Sequence, residues 1–377
     1  MATNALSGFP PALVRRLVIK IGSALLVDPA GEVRVDWLRT LVADVAARKA
    51  AGQQVIIVSS GAIALGARRL KLPKGGRGSL EDAQAAAATG QIALSQCWAS
   101  LLHEKGITAA QMLVTLDDLE HRRRYLNASA TLERLMALDV VPVVNENDSV
   151  ATAEIRFGDN DRLAARIGQA ARADAVVLLS DVDGLYTANP HADANAMLIE
   201  RIERIDARIA AMADTGSASG MGSGGMVSKI QAAQIATGAG AHLAIISGKV
   251  DAPLSHWANA GRGSIFLAAE SQGARKGWLS GRLTVLGRII VDAGAEAALG
   301  KGNSLLPAGV ARVEGVFARG DVVDILNQDG RVIARGLTEY DSEAAAKIAG
   351  RRSEDIPALL GEMSRTVLVH RDHMAMV

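Results

Sequence analysis

One cysteine, Cys97, occurs in 377 residues, so no intramolecular disulfide can form. That suits a reducing compartment, and a cytoplasmic location is expected. Aromatic residues make up only 3 % of the chain, too few for a base-stacking surface. No apolar run approaches the roughly 20 residues of a membrane span. Residues 1–11 have no basic stretch leading into an apolar one, so neither a signal peptide nor a membrane partner is expected. Neither sign of charge is in excess. Lys plus Arg is 41 and Asp plus Glu is 40, which gives no global pull toward nucleic acid or anionic lipid. No His/Cys cluster has zinc spacing, and no protein metal ligand set is expected. No Gly-Lys-Ser/Thr occurs, which excludes a Walker A loop. No Gly-x-Ser-x-Gly elbow surrounds Ser59 and Ser60, which disfavours a serine hydrolase. The most glycine-rich stretch comes late in the chain rather than after the first strand, which disfavours a dinucleotide-binding Rossmann enzyme.

What is present is a chain long enough for two domains with sizeable cores. Short branched apolar runs at 17–21, 55–58, 111–115, 140–144, 175–179 and 243–246 read as buried strands. Helical spacing separates them, at 37–50, 81–104, 128–138 and 228–237. This alternation predicts an α/β fold: an open, mostly parallel sheet with helices on both faces. The pattern then changes. From 288 onward short strand-like pieces alternate with turns such as Arg319-Gly320-Asp321, and one helix is expected at 342–349. A small C-terminal β-barrel is predicted. The expected organisation is a large domain over 12–270, a linker over 271–284 and a small domain over 285–372.

In an open parallel sheet, ligands sit beyond the carboxyl ends of the strands. The residues directly after each strand are therefore informative. The first strand ends in Lys20-Ile21-Gly22-Ser23 and the second in Ser59-Ser60-Gly61-Ala62. Later strands run into Asn145-Glu146-Asn147-Asp148-Ser149 and into Ser180-Asp181-Val182-Asp183-Gly184. Glycines, small polar residues and carboxylates gather at one edge. Ser219-Gly220-Met221-Gly222-Ser223-Gly224-Gly225-Met226-Val227-Ser228-Lys229 leads into a helix. Such a loop lets backbone N–H groups approach an anion, and Lys229 adds a full charge. Lys20 is a lysine inside an apolar run, a position that calls for a partner. Asp161 of Gly158-Asp159-Asn160-Asp161 is either a helix cap or a carboxylate between two lysines.

None of the seven histidines falls in these motifs. A hydroxyl acceptor usually needs a general base. A carboxylate acceptor, with a pKa of about 4.3, is already ionised at neutral pH. Two lysines, a glycine cradle and no base fit phosphoryl transfer to a carboxylate.

These motifs, with Asp183-Gly184-Leu185-Tyr186-Thr187-Ala188-Asn189-Pro190, resemble those of the amino acid kinase family, in that family's order from about residue 17 to 266. The likeness is nearest to its glutamate-phosphorylating branch. Ser304-Leu305-Leu306-Pro307 and the turn at 317–321 resemble the PUA domain that many bacterial members carry. The resemblance implies formation of γ-glutamyl phosphate from glutamate and ATP with Mg2+, the first step of proline synthesis, with feedback inhibition by proline. It implies that Lys20 and Lys229 neutralise the transferring phosphoryl group and that Asp161 orients them. Ser60, Asp148 and Asn160 would hold glutamate, Asp148 facing its α-ammonium. Lys20, Ser180, Asp181, Ser223, Gly224, Gly225, Met226, Val227, Ser228 and Lys229 would bind ATP. A homo-oligomer, dimer or tetramer, is also implied. Two alternatives stand beside this reading. One is another carboxylate or carbamate kinase of the family. The other is an RNA-binding tail, which is disfavoured because 285–377 holds 11 Lys/Arg against 13 Asp/Glu.

Overall fold

The computed structural model describes residues 6–28, 31–150, 160–190, 192–212, 225–269, 285–361 and 365–377. The chain divides into two units: residues 1–120 with 127–269, and residues 270–377 with 121–126. The expected linker at 271–284 lies outside the described residues.

The first unit is built on an eight-stranded sheet. Its strands are β1 (Arg16–Ile21), β2 (Gln54–Val58), β3 (Ala109–Val114), β4 (Val141–Glu146), β5 (Ala175–Ser180), β6 (Arg201–Ile202), β7 (His242–Ser247) and β8 (Ser264–Phe266). They lie in the order β3-β4-β2-β1-β5-β7-β8-β6. All pairs are parallel except β7 with β8. Every residue of β4 and β5 is buried, as continuous apolar strands covered on both faces should be. The helices are α1 (Ser23–Leu26), α2 (Val35–Ala50), α3 (Ala62–Arg69), α4 (Leu80–His103), α5 (Leu116–Glu120), α6 (Arg122–Ala137, whose residues from 127 onward belong to this unit), α7 (Asn160–Ala170), α8 (Ala207–Met212), α9 (Met226–Gly238) and α10 (Pro253–Ala260).

Strand alternation assigns the two faces. Leu17, Ile19 and Ile21 of β1 join Leu38 and Leu41 of α2 and Trp98 of α4 in one core. Val18 points the other way, where a Cβ on Gly168 of α7 would also meet Val176 of β5 at 2.9 Å. α7 and α9 pack on each other and against β1, β5 and β7 on that second face. Lys20 shares the face of Val18, so its side chain leaves the sheet beneath α7 and α9.

The second unit holds a five-stranded sheet. Its strands are β9 (Val285–Val291), β10 (Val310–Gly315), β11 (Val322–Leu326), β12 (Val332–Thr338) and β13 (Val369–Met376), in the order β10-β9-β11-β12-β13. Its core joins Ile289, Ile325 and Val369 to Ala345 and Ile348 of a helix at Ser342–Ile348. The α/β sheet with helices on both faces and the β-rich C-terminal unit both match the sequence expectation.

Candidate active site

β1, α7 and α9 bring three charged side chains together. Each helix enters the sheet layer from the carboxyl ends of the strands, so its first turn lies there. Asp161 is in the first turn of α7 and Lys229 in the first turn of α9. Lys20 Nζ stands 2.6 Å from Asp161 Oδ1. Lys229 Nζ donates to Asp161 Oδ2 at 3.0 Å. Exposure is only 7 % for Lys20, 5 % for Lys229 and 1 % for Asp161, so this is a buried bridge. Burial pushes the Asp161 carboxyl upward, but the two ammonium groups outweigh it and hold the group below the usual carboxylate range. The triad carries a net charge of about +1 in a low-dielectric setting, where attraction for an anion is strong.

Lys229 runs against local helix electrostatics, because a cation in the first turn opposes the macrodipole. The cap at Gly225 supplies no side-chain hydrogen bond to the orphan N–H groups. A helix start that carries a cation is a favourable place for a phosphate, because the N-terminal N–H groups and the ammonium act on it together. Met226, Val227 and Ser228 occupy that first turn. Ser223 and Gly224 lie outside the described residues. At the end of β5, Ser180 Oγ donates to Asp181 Oδ1 at 3.1 Å. β5 pairs directly with β1, Leu178 beside Lys20, so this edge adjoins the triad.

On the other side of β1, β2 pairs Val58 with Lys20. The chain then reaches Ser60 and turns at Gly61, whose φ of 97° is the left-handed region that glycine tolerates. Asn160 Nδ2 donates to Ser60 Oγ at 2.7 Å. The Asn160 carbonyl oxygen is buried without a hydrogen-bond partner. Since Asn160 precedes Asp161, this hydrogen bond ties the β2 loop to the bridge.

β4 delivers the polar run at 145–149. A cavity of about 460 Å³ opens beside it, lined by Ala87, Gln91 and Ile92 of α4, Leu113 of β3, and Glu146 and Asp148. That volume is in the range of about 300–1,000 Å³ usual for small-molecule sites. Burial pushes the Asp148 carboxyl up to about 6, with Arg77 pulling the other way. Asp148 Oδ1 and Asn145 Oδ1 are buried and make no hydrogen bond. Unmet acceptors of this kind call for a donor-bearing ligand.

Lys20, Asp161 and Lys229 thus converge, and Ser60 joins Asn160. Asp148 lines the cavity, and Ser180 and Asp181 sit at the end of β5. Two residues of this region are absent from the sequence-derived set. Asn145 lay within a polar run that already pointed to contact. Gln91 carried no signal in its alanine-rich helix. Among the described residues no three His, Cys, Asp or Glu side chains gather to hold a metal ion. No described helix is long and apolar enough to cross a membrane.

A model of the amino acid kinase family matches residues 15–247, and one of the PUA domain matches residues 287–360. A glutamate 5-kinase of Sphingopyxis alaskensis is 66 % identical over 372 residues, covering 99 % of this chain and 100 % of that protein. One from Zymomonas mobilis is 62 % identical over 376 residues, covering 100 % of this chain and 95 % of that protein. A solved carbamate kinase from Giardia lamblia matches at 14 % identity with a TM-score of 0.49, covering 67 % of this chain and 98 % of that one. The family models and the near full-length identity agree that this chain belongs to the amino acid kinase family, among its glutamate 5-kinases, with a C-terminal PUA domain.

Proposed function

We propose that the protein transfers the γ-phosphoryl group of MgATP to the γ-carboxylate of L-glutamate, giving L-glutamyl 5-phosphate for proline synthesis. The observation that carries this reading is the buried Lys20–Asp161–Lys229 bridge, a cationic pair fixed at the strand ends by motifs that contain no histidine. In phosphoryl transfer, charge spreads over the moving group and the leaving oxygen, and catalysis is positioning plus electrostatic stabilisation. Lys20 and Lys229 neutralise that charge, and Asp161 holds both ammonium groups in place. The acceptor carboxylate is already ionised, so no base is needed. Ser60, Asn160 and Asp148 bind glutamate, Asp148 receiving the α-ammonium. Ser180, Asp181 and the stretch 223–229 bind ATP. Mg2+ would come as the MgATP complex, held by the nucleotide rather than by a set of protein carboxylates, and would supply further neutralisation of phosphate charge.

The experiment is incubation with MgATP, hydroxylamine and a substrate panel. Hydroxamate is expected from glutamate. Hydroxamate from aspartate or N-acetylglutamate but not from glutamate overturns the substrate assignment. The same assay with proline added tests feedback inhibition, which lowers the rate. The remaining parts of the reading are a kinase domain over 12–270, a linker over 271–284, a PUA-like domain over 285–372, a cytoplasmic location and a homo-oligomer. Light scattering that finds only the 39.2 kDa monomer overturns the last of these.

A further inference from the structure

The cavity beside β4 holds more than an anion for an ammonium group. Asp148 and Gln91 line it together. Gln91 is half-buried on α4 and its orientation is fixed, since its Oε1 accepts from Asn145 Nδ2 at 2.6 Å. Asn145 is 2 % exposed, so this anchor is deep in the protein. With its oxygen committed, Gln91 presents its Nε2 donors. An amide nitrogen carries two donors and no acceptor, the complement of a carboxylate. Asp148 supplies the opposite: an ionisable acceptor with one buried oxygen that makes no hydrogen bond. Donor and anion side by side are the complement of a zwitterionic amino acid head group.

We propose that Gln91 is a specificity-determining residue whose side-chain N–H groups receive the α-carboxylate of the substrate while Asp148 receives its α-ammonium. This rests on the glutamate reading and adds the part of glutamate that the other residues leave unbound. It predicts that the site rejects a carboxylic acid of the right length without the head group. A hydrogen-bonding site discriminates strongly when its buried polar groups are left unpaired by the wrong ligand.

Gln91→Glu provides the decisive variant. It keeps an oxygen for Asn145 and replaces the N–H donors with negative charge. Gln91→Ala is the companion that removes both. Two truncated competitors separate the head-group contacts: 4-aminobutyrate keeps the ammonium and lacks the α-carboxylate, and glutarate keeps both carboxylates and lacks the ammonium. Hydrogen bonds to charged groups predict a rise in KM for glutamate of about tenfold or more in Gln91→Glu, with kcat changed far less. The inhibition constant of 4-aminobutyrate should stay within about twofold of wild type, and that of glutarate should rise with the glutamate KM. Asp148→Asn should show the mirror pattern, weakening 4-aminobutyrate and sparing glutarate. An equal loss of both competitors in Gln91→Glu makes Gln91 merely structural and overturns the proposal, as does an unchanged KM in both Gln91 variants. Wild-type protein that forms no hydroxamate from glutamate defeats the parent reading instead, and does so before any variant is measured.

Discussion

Replacing Asp161 by Asn leaves Lys20 and Lys229 buried with no counter-charge between them. Removing one partner from a buried ion pair costs about 3–5 kcal/mol, because the remaining charge is stranded. It also frees the two ammonium groups from the geometry that the transition state requires. Asp161→Asn should therefore lower kcat by about 10²–10³ and lower the denaturation midpoint. Steady-state kinetics with urea unfolding checks both, and a kcat near wild type removes Asp161 from the mechanism. The same carboxyl contributes to the acid limb of stability, with Asp183 and Glu339, which are also held below the usual range. The folded-state pKa of Asp161 is depressed, so its contribution is complete above the unfolded value of about 3.9 and is lost as pH falls through the folded one.

Asp148 titrates the other way. Burial raises its carboxyl to about 6, so the free enzyme loses the anion proposed to meet the substrate ammonium as pH falls below that value. Across this range neither the ammonium nor the γ-carboxylate of glutamate changes charge. The expected profile of kcat/KM for glutamate rises with pH through about 6 in wild type. The rise should be absent in Asp148→Asn. An identical rise in that variant assigns the titration to another group. Lys20 was legible in the sequence because charge inside an apolar run is conspicuous, and Lys229 because it ends a glycine-rich stretch, whereas Asp161 read equally as a helix cap and only the structure shows it between the two lysines. Gln91 was not legible, because an uncharged residue on an alanine-rich helix acquires meaning only when α4 is laid beside β4.

At the scale of elements, the contact between α3 and α4 determines where the turn at Ser60 and Gly61 sits. The helices touch through glycine. A Cβ on Gly90 would meet Ala62 O at 1.9 Å, and one on Gly66 would meet Ala86 O at 1.7 Å. Both obstacles are backbone atoms, so no side-chain rotation relieves them. Overpacking typically costs about 1–3 kcal/mol, and here the helices themselves must separate. Gly90→Ala should destabilise the protein at the upper end of that range. It should also raise the KM for glutamate, because α3 starts at Ala62, two residues after Ser60. Chemical denaturation with substrate kinetics measures the two effects together, and wild-type values in both contradict the close packing. Six strand positions in the first unit, β1 to β5 and β7, were readable to within one or two residues, since these strands are mostly apolar runs, whereas the three-residue β8 was not expected. β13 was not readable. Its buried position at His373 faces Glu339, 3.6 Å from Nδ1 to Oε1, so a polar pair interrupts the apolar alternation that marks a strand. β6 has two residues, too few for any period to register.

For the whole molecule, a charge balance of 41 against 40 conceals a local arrangement. The two buried lysines come from residues 209 positions apart, and Asp161, between them in sequence, also lies between them in space. Every described residue assigned to substrate or nucleotide belongs to the first unit. The two units have separate apolar cores, one running through β1 and α2 and the other through β9 and β11. Ligand binding at 100 times Kd stabilises the folded state by about 2.7 kcal/mol. Such stabilisation slows amide exchange where opening would break ligand contacts. Hydrogen exchange of the full chain with MgATP and glutamate should therefore slow at 20–23, 58–62, 145–149, 160–161, 180–181 and 225–229 together. Exchange across 285–377 should stay as it is without ligand. These segments are scattered in sequence and adjacent only at the strand ends. Joint protection is therefore the signature of one site, and protection at only some of them divides the site. Slowed exchange across 285–377 assigns the C-terminal unit a part in ligand binding that its net acidic sequence does not suggest.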